Sequence, residues 1–334
     1  SVCGVADPRL VTLNARAAAD LGARIETRAK VISARREGDL WHATIQRADG
    51  NTETVSGRML INAAGPWVGE NLQTVVPVKT PAGVRMAQGS HIVVPKMFDH
   101  KRAYIFQNRD NRIIFAIPYE RDFTLIGTTD RDYQGDPKDV AASEQEINYL
   151  CAAASEYFVQ PVKRSDVVWT YSVVRPLYDD GASKAQEATR DYVLHLDEEN
   201  GKTPLLSIFG GKITTYRRLS ESVLAKLGHH MSAEQNTRAG WTGHVHLPGG
   251  DFPEINSFQG IAWTLHEKYQ FLPRLTCQRL VRAYGTRAHV FLDGARSIED
   301  MGRHFGADLY EREVRYLIEH EWARTADDVL WRRS

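Results

Sequence analysis

The stretch Phe209-Gly210-Gly211-Lys212-Ile213-Thr214-Thr215-Tyr216-Arg217 restricts this chain more than any other. Before it runs Pro204-Leu205-Leu206-Ser207-Ile208, a short apolar run that reads as a buried strand. After it, Leu219, Val223, Leu224 and Leu227 recur at the spacing of one helix face. The glycines therefore stand where a strand ends and a helix begins. Two residues without side chains let a planar or anionic group approach the backbone, and the helix start turns a positive dipole end toward it. Lys212 adds a full charge, and Thr214 or Thr215 is placed to cap the first turn. The same pattern also suits a tight turn with ordinary capping, and on spacing alone both readings stand.

Charge balance removes one large class of function. Lys and Arg together number 42, and so do Asp and Glu, so no net field favours nucleic acid. At 334 residues the chain is long enough for two or three units. No apolar run approaches a membrane span, and the start is not a signal peptide. Cys3, Cys151 and Cys277 are odd in number and far apart, which fits a reducing compartment better than a disulfide framework. The start, without Met and almost at once helical, is that of a piece of a longer protein.

In chain order, Asp7 and Pro8 open a helix with Leu10, Leu13, Ala17 and Leu21 as its stripe, and Gly22 closes it. Ile25 to Val31 and Trp41 to Ile45 alternate as strands. Met59 to Asn62 is a buried strand running into Ala63-Ala64-Gly65-Pro66, a second place where backbone rather than side chain can face a ligand, or a plain strand-to-helix turn. From about residue 77 short strands follow one another, the signature of an antiparallel sheet. Glu144 to Phe158 reads as a helix, residues 166–176 as a strand and Tyr192 to Leu196 as another. The polar segment 231–250 reads as a linker, and a helical region follows it, with Thr325 to Asp328 as a capping box.

Arg175 closes a hydrophobic strand, so it either pairs with a carboxylate or meets an anionic substrate. His91, behind Gly89 and Ser90, is either a hydrogen-bonded histidine or a base. Arg190 reads as a surface arginine. His244 and His246 share a strand face but lack a third ligand, and His229-His230 is no better, so no metal site is expected. There is no GxSxG, HExxH, P-loop or GxGxxG.

Taken together these strings resemble the FAD-dependent glycerol-3-phosphate dehydrogenases. The matching segments are RLVTLN (9–14), NAAGPW (62–67), GSHIVVP (89–95), IGTTD (126–130), VWTYSVVRPL (168–177), TRDY (189–192), SIFGGKITTYR (207–217), HEW (320–322) and ADDVLWRR (326–333), in order along the chain. The family's opening strand–GxGxxG–helix, which holds the FAD pyrophosphate, is not among them, and residues 1–6 match poorly. The resemblance implies a mixed α/β and α+β fold: a discontinuous FAD-binding α/β unit (1–76 and 205–230), interrupted by an antiparallel substrate sheet (77–204). A linker (231–250) and an all-α C-terminal domain (251–334) complete it.

It further implies oxidation of sn-glycerol 3-phosphate to dihydroxyacetone phosphate, the C2 hydride passing to flavin N5 and electrons going on to a quinone. Arg175 and Arg190 are placed at the substrate phosphate, which suits the planar fork of guanidinium donors. His91 becomes the base, because arginine stays protonated, with Lys212 and Arg175 polarising the oxygen that becomes the carbonyl. Gly210 and Gly211, with Lys212, Ile213 and Thr214, are placed at the flavin, Ala63, Ala64 and Gly65 at another part of the cofactor, and Val31 on the adenosine side. A homodimer is one assembly the resemblance allows, and it puts the enzyme peripherally on the inner face of the cytoplasmic membrane. Arg312, Arg315, Arg324, Arg332 and Arg333 on the helical tail suit anionic lipid or a solvated helix face alike. Two alternatives are an FAD-dependent amine or amino-acid oxidase, and a flavin-free remnant acting as a binding module without catalysis.

Overall fold

The computed structural model describes residues 6–76, 78, 83–127, 131–179, 191–236, 240–253 and 258–333. The chain divides into two compact units, one of residues 30–239 and one joining 1–29 to 240–334.

In the larger unit, β1 (Lys30–Glu37), β2 (Leu40–Gln46) and β3 (Thr52–Gly57) form an antiparallel sheet. The alternation from Ile25 predicted an earlier start, but residues 25–29 are irregular and Arg28 adopts φ +56°. Next come β4 (Leu60–Asn62) and helix α2 (Val68–Thr74). A sheet then runs through β5 (Gly83–Pro95), β6 (Tyr104–Gln107), β7 (Ile113–Tyr119), β8 (Phe123–Gly127) and the two-residue β9 (Arg131–Asp132). Helix α3 (Glu144–Ser155) and β10 (Trp169–Asp179) complete it, in the order β10-β5-β8-β7-β6 with β9 beside β5. Among the described residues all its pairings are antiparallel, as the run of short strands implied. One face buries Ile92, Val94, Ile114, Ala116 and Ile126 against Ile147, Leu150, Cys151 and Ala154 of α3.

The last sheet of this unit pairs β11 (Tyr192–Glu199) antiparallel with β12 (Lys202–Gly210), and β12 parallel with β4. It is covered on both faces, which explains why residues 204–208 read as an unbroken apolar run. Leu205 and Phe209 pack with Ala34, Trp41, Val68 and Leu72, while Leu206 packs with Val223 and Leu227 of α4 (Tyr216–Lys226). Leu224, placed on the same stripe from the sequence, is exposed instead. The expected linker holds a short helix, α5 (Ala233–Asn236), and a 3₁₀ turn at Trp241–His244, so His244 and His246 do not share a strand.

The smaller unit is mainly helical: α1 (Asp7–Asp20), α6 (Phe258–Lys268), α7 (Arg274–Tyr284), α8 (Ala288–Leu292) and α9 (Glu311–Glu321), with a π turn at Asp328–Arg332. It is not all-α as expected, because His304–Gly306 pairs antiparallel with Leu309–Tyr310. Asp7 is the first helical residue and not the cap, which is Ala6. The expected reciprocal pair at Thr325 and Asp328 forms, each side chain accepting from the other's backbone amide. Arg9 is buried and grips the buried Glu321 through two bonds, Nη1 to Oε2 at 2.5 Å and Nη2 to Oε1 at 2.8 Å. It also donates from Nε to the Ala283 carbonyl and lies over the Tyr284 ring.

Removing one partner of such a pair leaves a buried charge uncompensated. Arg9→Met is therefore expected to destabilise this unit by about 3–5 kcal/mol, and the double variant Arg9→Met/Glu321→Leu to recover most of the loss. Urea unfolding of the two variants checks this; equal losses in both would refute it.

Candidate active site

Strand β5 pairs with β10 without interruption from Gly83↔Asp179 to Val93↔Trp169. Alternation puts Ala87, Gly89 and His91 on the face opposite α3, together with Tyr171, Val173 and Arg175 of β10. Arg175 lies within its strand, four residues before the end, and not at the strand terminus the sequence suggested. Two glycines clear this face. A side chain on Gly89 would meet the Arg175 guanidinium at 2.5 Å from Nη2, so that group lies flat on the Gly89 backbone. A methyl on Gly127, across from His91, would overlap the imidazole ring and stand 2.8 Å from the Ser90 carbonyl.

The His91 ring stacks on Tyr171 at a centroid distance of 4.7 Å and 6° between planes. Its Nδ1 is buried without a hydrogen-bond partner among the described residues. Burial, and then the nearby charge of Arg175, push the imidazole pKa down to about 4. Protonating both ring nitrogens would bury an unmatched N–H beside a cation, so the neutral form is held. On the other face, Ser90 Oγ donates to Glu146 Oε1 at 2.8 Å and Gln88 Nε2 donates to the same carboxylate. Glu146 is also the capping-box acid of α3. The brace fixes β5 against the helix and so fixes where His91 points.

The two small-residue junctions found in the sequence leave the same edge of one sheet. Since β4 and β12 are parallel, Leu60↔Leu205 to Asn62↔Ser207, Ala63-Ala64-Gly65 follows the carboxyl end of β4 while Gly210-Gly211 spans the carboxyl end of β12. Crevices outside such ends are where α/β sheets take ligands. Gly65, Gly210 and Gly211 have φ of +56°, +72° and +93°, a region that side chains disfavour. A side chain on Gly210 would reach the Asp191 carbonyl at 2.9 Å and the Pro176 carbonyl at 3.6 Å. The junction therefore abuts β10 one residue beyond Arg175.

Lys212, Ile213 and Thr214 are exposed just after it. Thr215 occupies the cap position of α4 but makes no capping bond, and its hydroxyl donates to the Lys212 carbonyl instead. Asn62 adds a signal the sequence reading passed over. It is buried, its Nδ2 donates to the Val68 carbonyl, and its Oδ1 has no partner among the described residues. An orphan acceptor beside small residues at a strand's carboxyl end fits a bound cofactor. Val31 stands apart at the start of β1, exposed and paired with Ile45. Arg190 lies outside the described residues.

A sheet face with a neutral imidazole and a guanidinium thus stands beside a glycine-lined edge. The FAD dependent oxidoreductase family model matches residues 2–217. The chain belongs to that family. Residues 241–334 match the C-terminal domain of alpha-glycerophosphate oxidase. The whole chain is similar to a glycerol-3-phosphate dehydrogenase of Pseudomonas aeruginosa, at 47% identity over 64% of that protein. It is also similar to a D-erythritol 1-phosphate dehydrogenase of Brucella abortus, at 45% identity over 66% of it. The chain thus spans just under two thirds of the length of these curated relatives. A solved glycerol-3-phosphate dehydrogenase of Bacillus halodurans, complexed with FAD, matches 98% of this chain and 64% of that one, with a TM-score of 0.76 at 24% identity. That likeness bears out the mixed α/β fold with a helical C-terminal part.

On the tail, Arg312 donates to the Asp300 and Asp293 carbonyls, Arg333 to the Glu321 carbonyl, Arg315 pairs with Glu311 and Arg332 with Asp328. Four of the five tail arginines are thus engaged within their own unit. No helix among the described residues is long and apolar enough to cross a membrane.

The His91 proton is bound more weakly in the folded chain than in the unfolded one, where imidazole titrates near 6.5. Stability is therefore whole above about pH 6.5 and falls as pH drops toward 4. Between pH 7 and 5 the native chain is expected to lose about 2 kcal/mol more than a His91→Gln variant, read from urea midpoints. In NMR titrations Arg175→Gln should raise the His91 pKa only part of the way, because burial is the larger cause; a native value near 6.5 would refute the account.

Proposed function

We propose that this chain carries the substrate face and part of the cofactor face of an FAD-dependent dehydrogenase of sn-glycerol 3-phosphate, forming dihydroxyacetone phosphate. The observation that carries the reading is the His91–Arg175 pair on one glycine-cleared sheet face, beside the carboxyl ends of β4 and β12. Both relatives named above are dehydrogenases of a phosphorylated polyol, which supports a substrate with a dianionic phosphate and a secondary alcohol. Segments 30–76 and 205–230 would serve the cofactor, and the sheet of residues 83–179 the substrate.

Ala63, Ala64 and Gly65 with Gly210, Gly211, Lys212, Ile213 and Thr214 would hold FAD, which supplies a hydride acceptor when bound. Val31 would lie toward its adenosine end. Arg175 presents a planar fork to the phosphate, joined by Arg190, and fixes which carbon faces the cofactor edge. His91 takes the hydroxyl proton at Nε2, since Nδ1 is shut away from solvent. An anionic phosphate on Arg175 offsets the charge that depresses the imidazole, so substrate binding raises the basicity of His91 when it is needed. Lys212 stabilises the oxygen as it becomes a carbonyl. Electron transfer to a quinone, attachment to the inner face of the cytoplasmic membrane and a homodimer rest on the family resemblance alone.

The 45% likeness to a D-erythritol 1-phosphate dehydrogenase favours one second reading, a longer phosphorylated polyol on the same arginine anchor. Anaerobic bleaching of the FAD-loaded full-length protein distinguishes them. Bleaching by sn-glycerol 3-phosphate, with slower or no response to D-erythritol 1-phosphate, glycerol, lactate and sarcosine, is expected. Faster bleaching by D-erythritol 1-phosphate would install the second reading, and bleaching by sarcosine, or by none, would overturn both. Arg175→Gln is expected to raise KM by about 10–100-fold, the loss of a charge-assisted pair. His91→Ala should instead lower kcat, and an unchanged kcat would remove His91 from its role as base.

A further inference from the structure

His229 and His230 lack a third ligand in sequence, yet the fold supplies one. They lie on the 3₁₀ turn Gly228–His230 that follows α4, and Glu198 lies near the end of β11. The Nε2 atoms of both imidazoles converge on one oxygen, Glu198 Oε1, at 3.0 Å for His229 and 2.5 Å for His230. The two rings stand 3.9 Å apart between centroids. One ligand atom from each of the three residues lies within 4.8 Å of the others. Tetrahedral zinc with bonds near 2.1 Å needs donor atoms roughly 3.4 Å apart, a spacing these three donors reach by small rotations.

We propose that Glu198, His229 and His230 form a binding site for a divalent transition-metal ion of the zinc class. Two imidazole nitrogens and one carboxylate oxygen are the donors that borderline cations select over calcium or magnesium. The turn follows the carboxyl end of α4, where the helix dipole favours a cation. The half-buried His230 and Glu198 form the inner wall, and the exposed His229 closes the site from solvent. A bound ion would clip the end of β11 to the far end of α4, the helix whose other end follows Gly210 and Gly211. This site is separate from the His91 face and does not depend on the reaction assigned to it.

The test is a Co²⁺ titration of the FAD-loaded full-length protein, followed by difference absorption beyond the flavin bands and by calorimetry. One Co²⁺ per chain, with the absorption of tetrahedral coordination and displacement by Zn²⁺, is expected. His230→Gln and Glu198→Gln should each weaken binding by about 10–100-fold, while His244→Gln/His246→Gln should leave it unchanged. His229→Gln, at the exposed position, serves where His230→Gln fails to fold. No saturable binding up to about 1 mM, or binding that survives His229→Gln and Glu198→Gln, would overturn the site and leave the three groups as a hydrogen-bonded cluster.

Discussion

The unbroken pairing of β5 with β10 governs the sheet of residues 83–179. It places an imidazole from residue 91 and a guanidinium from residue 175 on one face, though 84 positions separate them. A slip of β5 by one residue would turn His91 into the α3 core, away from Arg175, and bring Ser90 and Gln88 outward. The Glu146 carboxylate opposes that slip, because it accepts from Ser90 and Gln88 while capping its own helix. A single buried acid thus holds strand register and helix position together, and neither is free to relax without the other.

The glycine-lined edge of the sheet formed by β11, β12 and β4 depends on direction more than register. Parallel β4 and β12 bring two junctions, more than 140 positions apart in sequence, to one edge. Each was visible alone as small residues between an apolar strand and a helix start, because glycine at positive φ leaves a compositional mark. That they share an edge was not visible, since nothing in either string encodes its neighbour. The resemblance to a family supplied that knowledge for the sequence, and the parallel pairing now supplies the physical reason.

Other features were hidden for different reasons. Asn62 reads as an ordinary strand residue, and only its unpartnered Oδ1 makes it notable. His229-His230 looked idle because its third donor comes from a strand some 30 positions earlier. The early helix α1 carries an apolar stripe that says it packs, but not against what; the structure groups it with the helical unit and not with the segment 30–76 that follows it in sequence. Strand limits also shifted: β5 is 13 residues long because backbone pairing continues through Gly83 to Gln88, where the hydrophobic pattern is silent. Arg175 reads as the end of a hydrophobic strand, yet the ladder continues through Pro176 to Asp179.

The Arg9–Glu321 pair joins positions 312 residues apart. A chain made from its amino end therefore exposes α1, with its guanidinium unmet, long before the carboxylate that receives it has been synthesised. Residues 30–239 can close their sheets in that interval, whereas the helical unit waits for α9. Among the described residues, α1 is accordingly a segment whose buried charge is answered only near the end of synthesis.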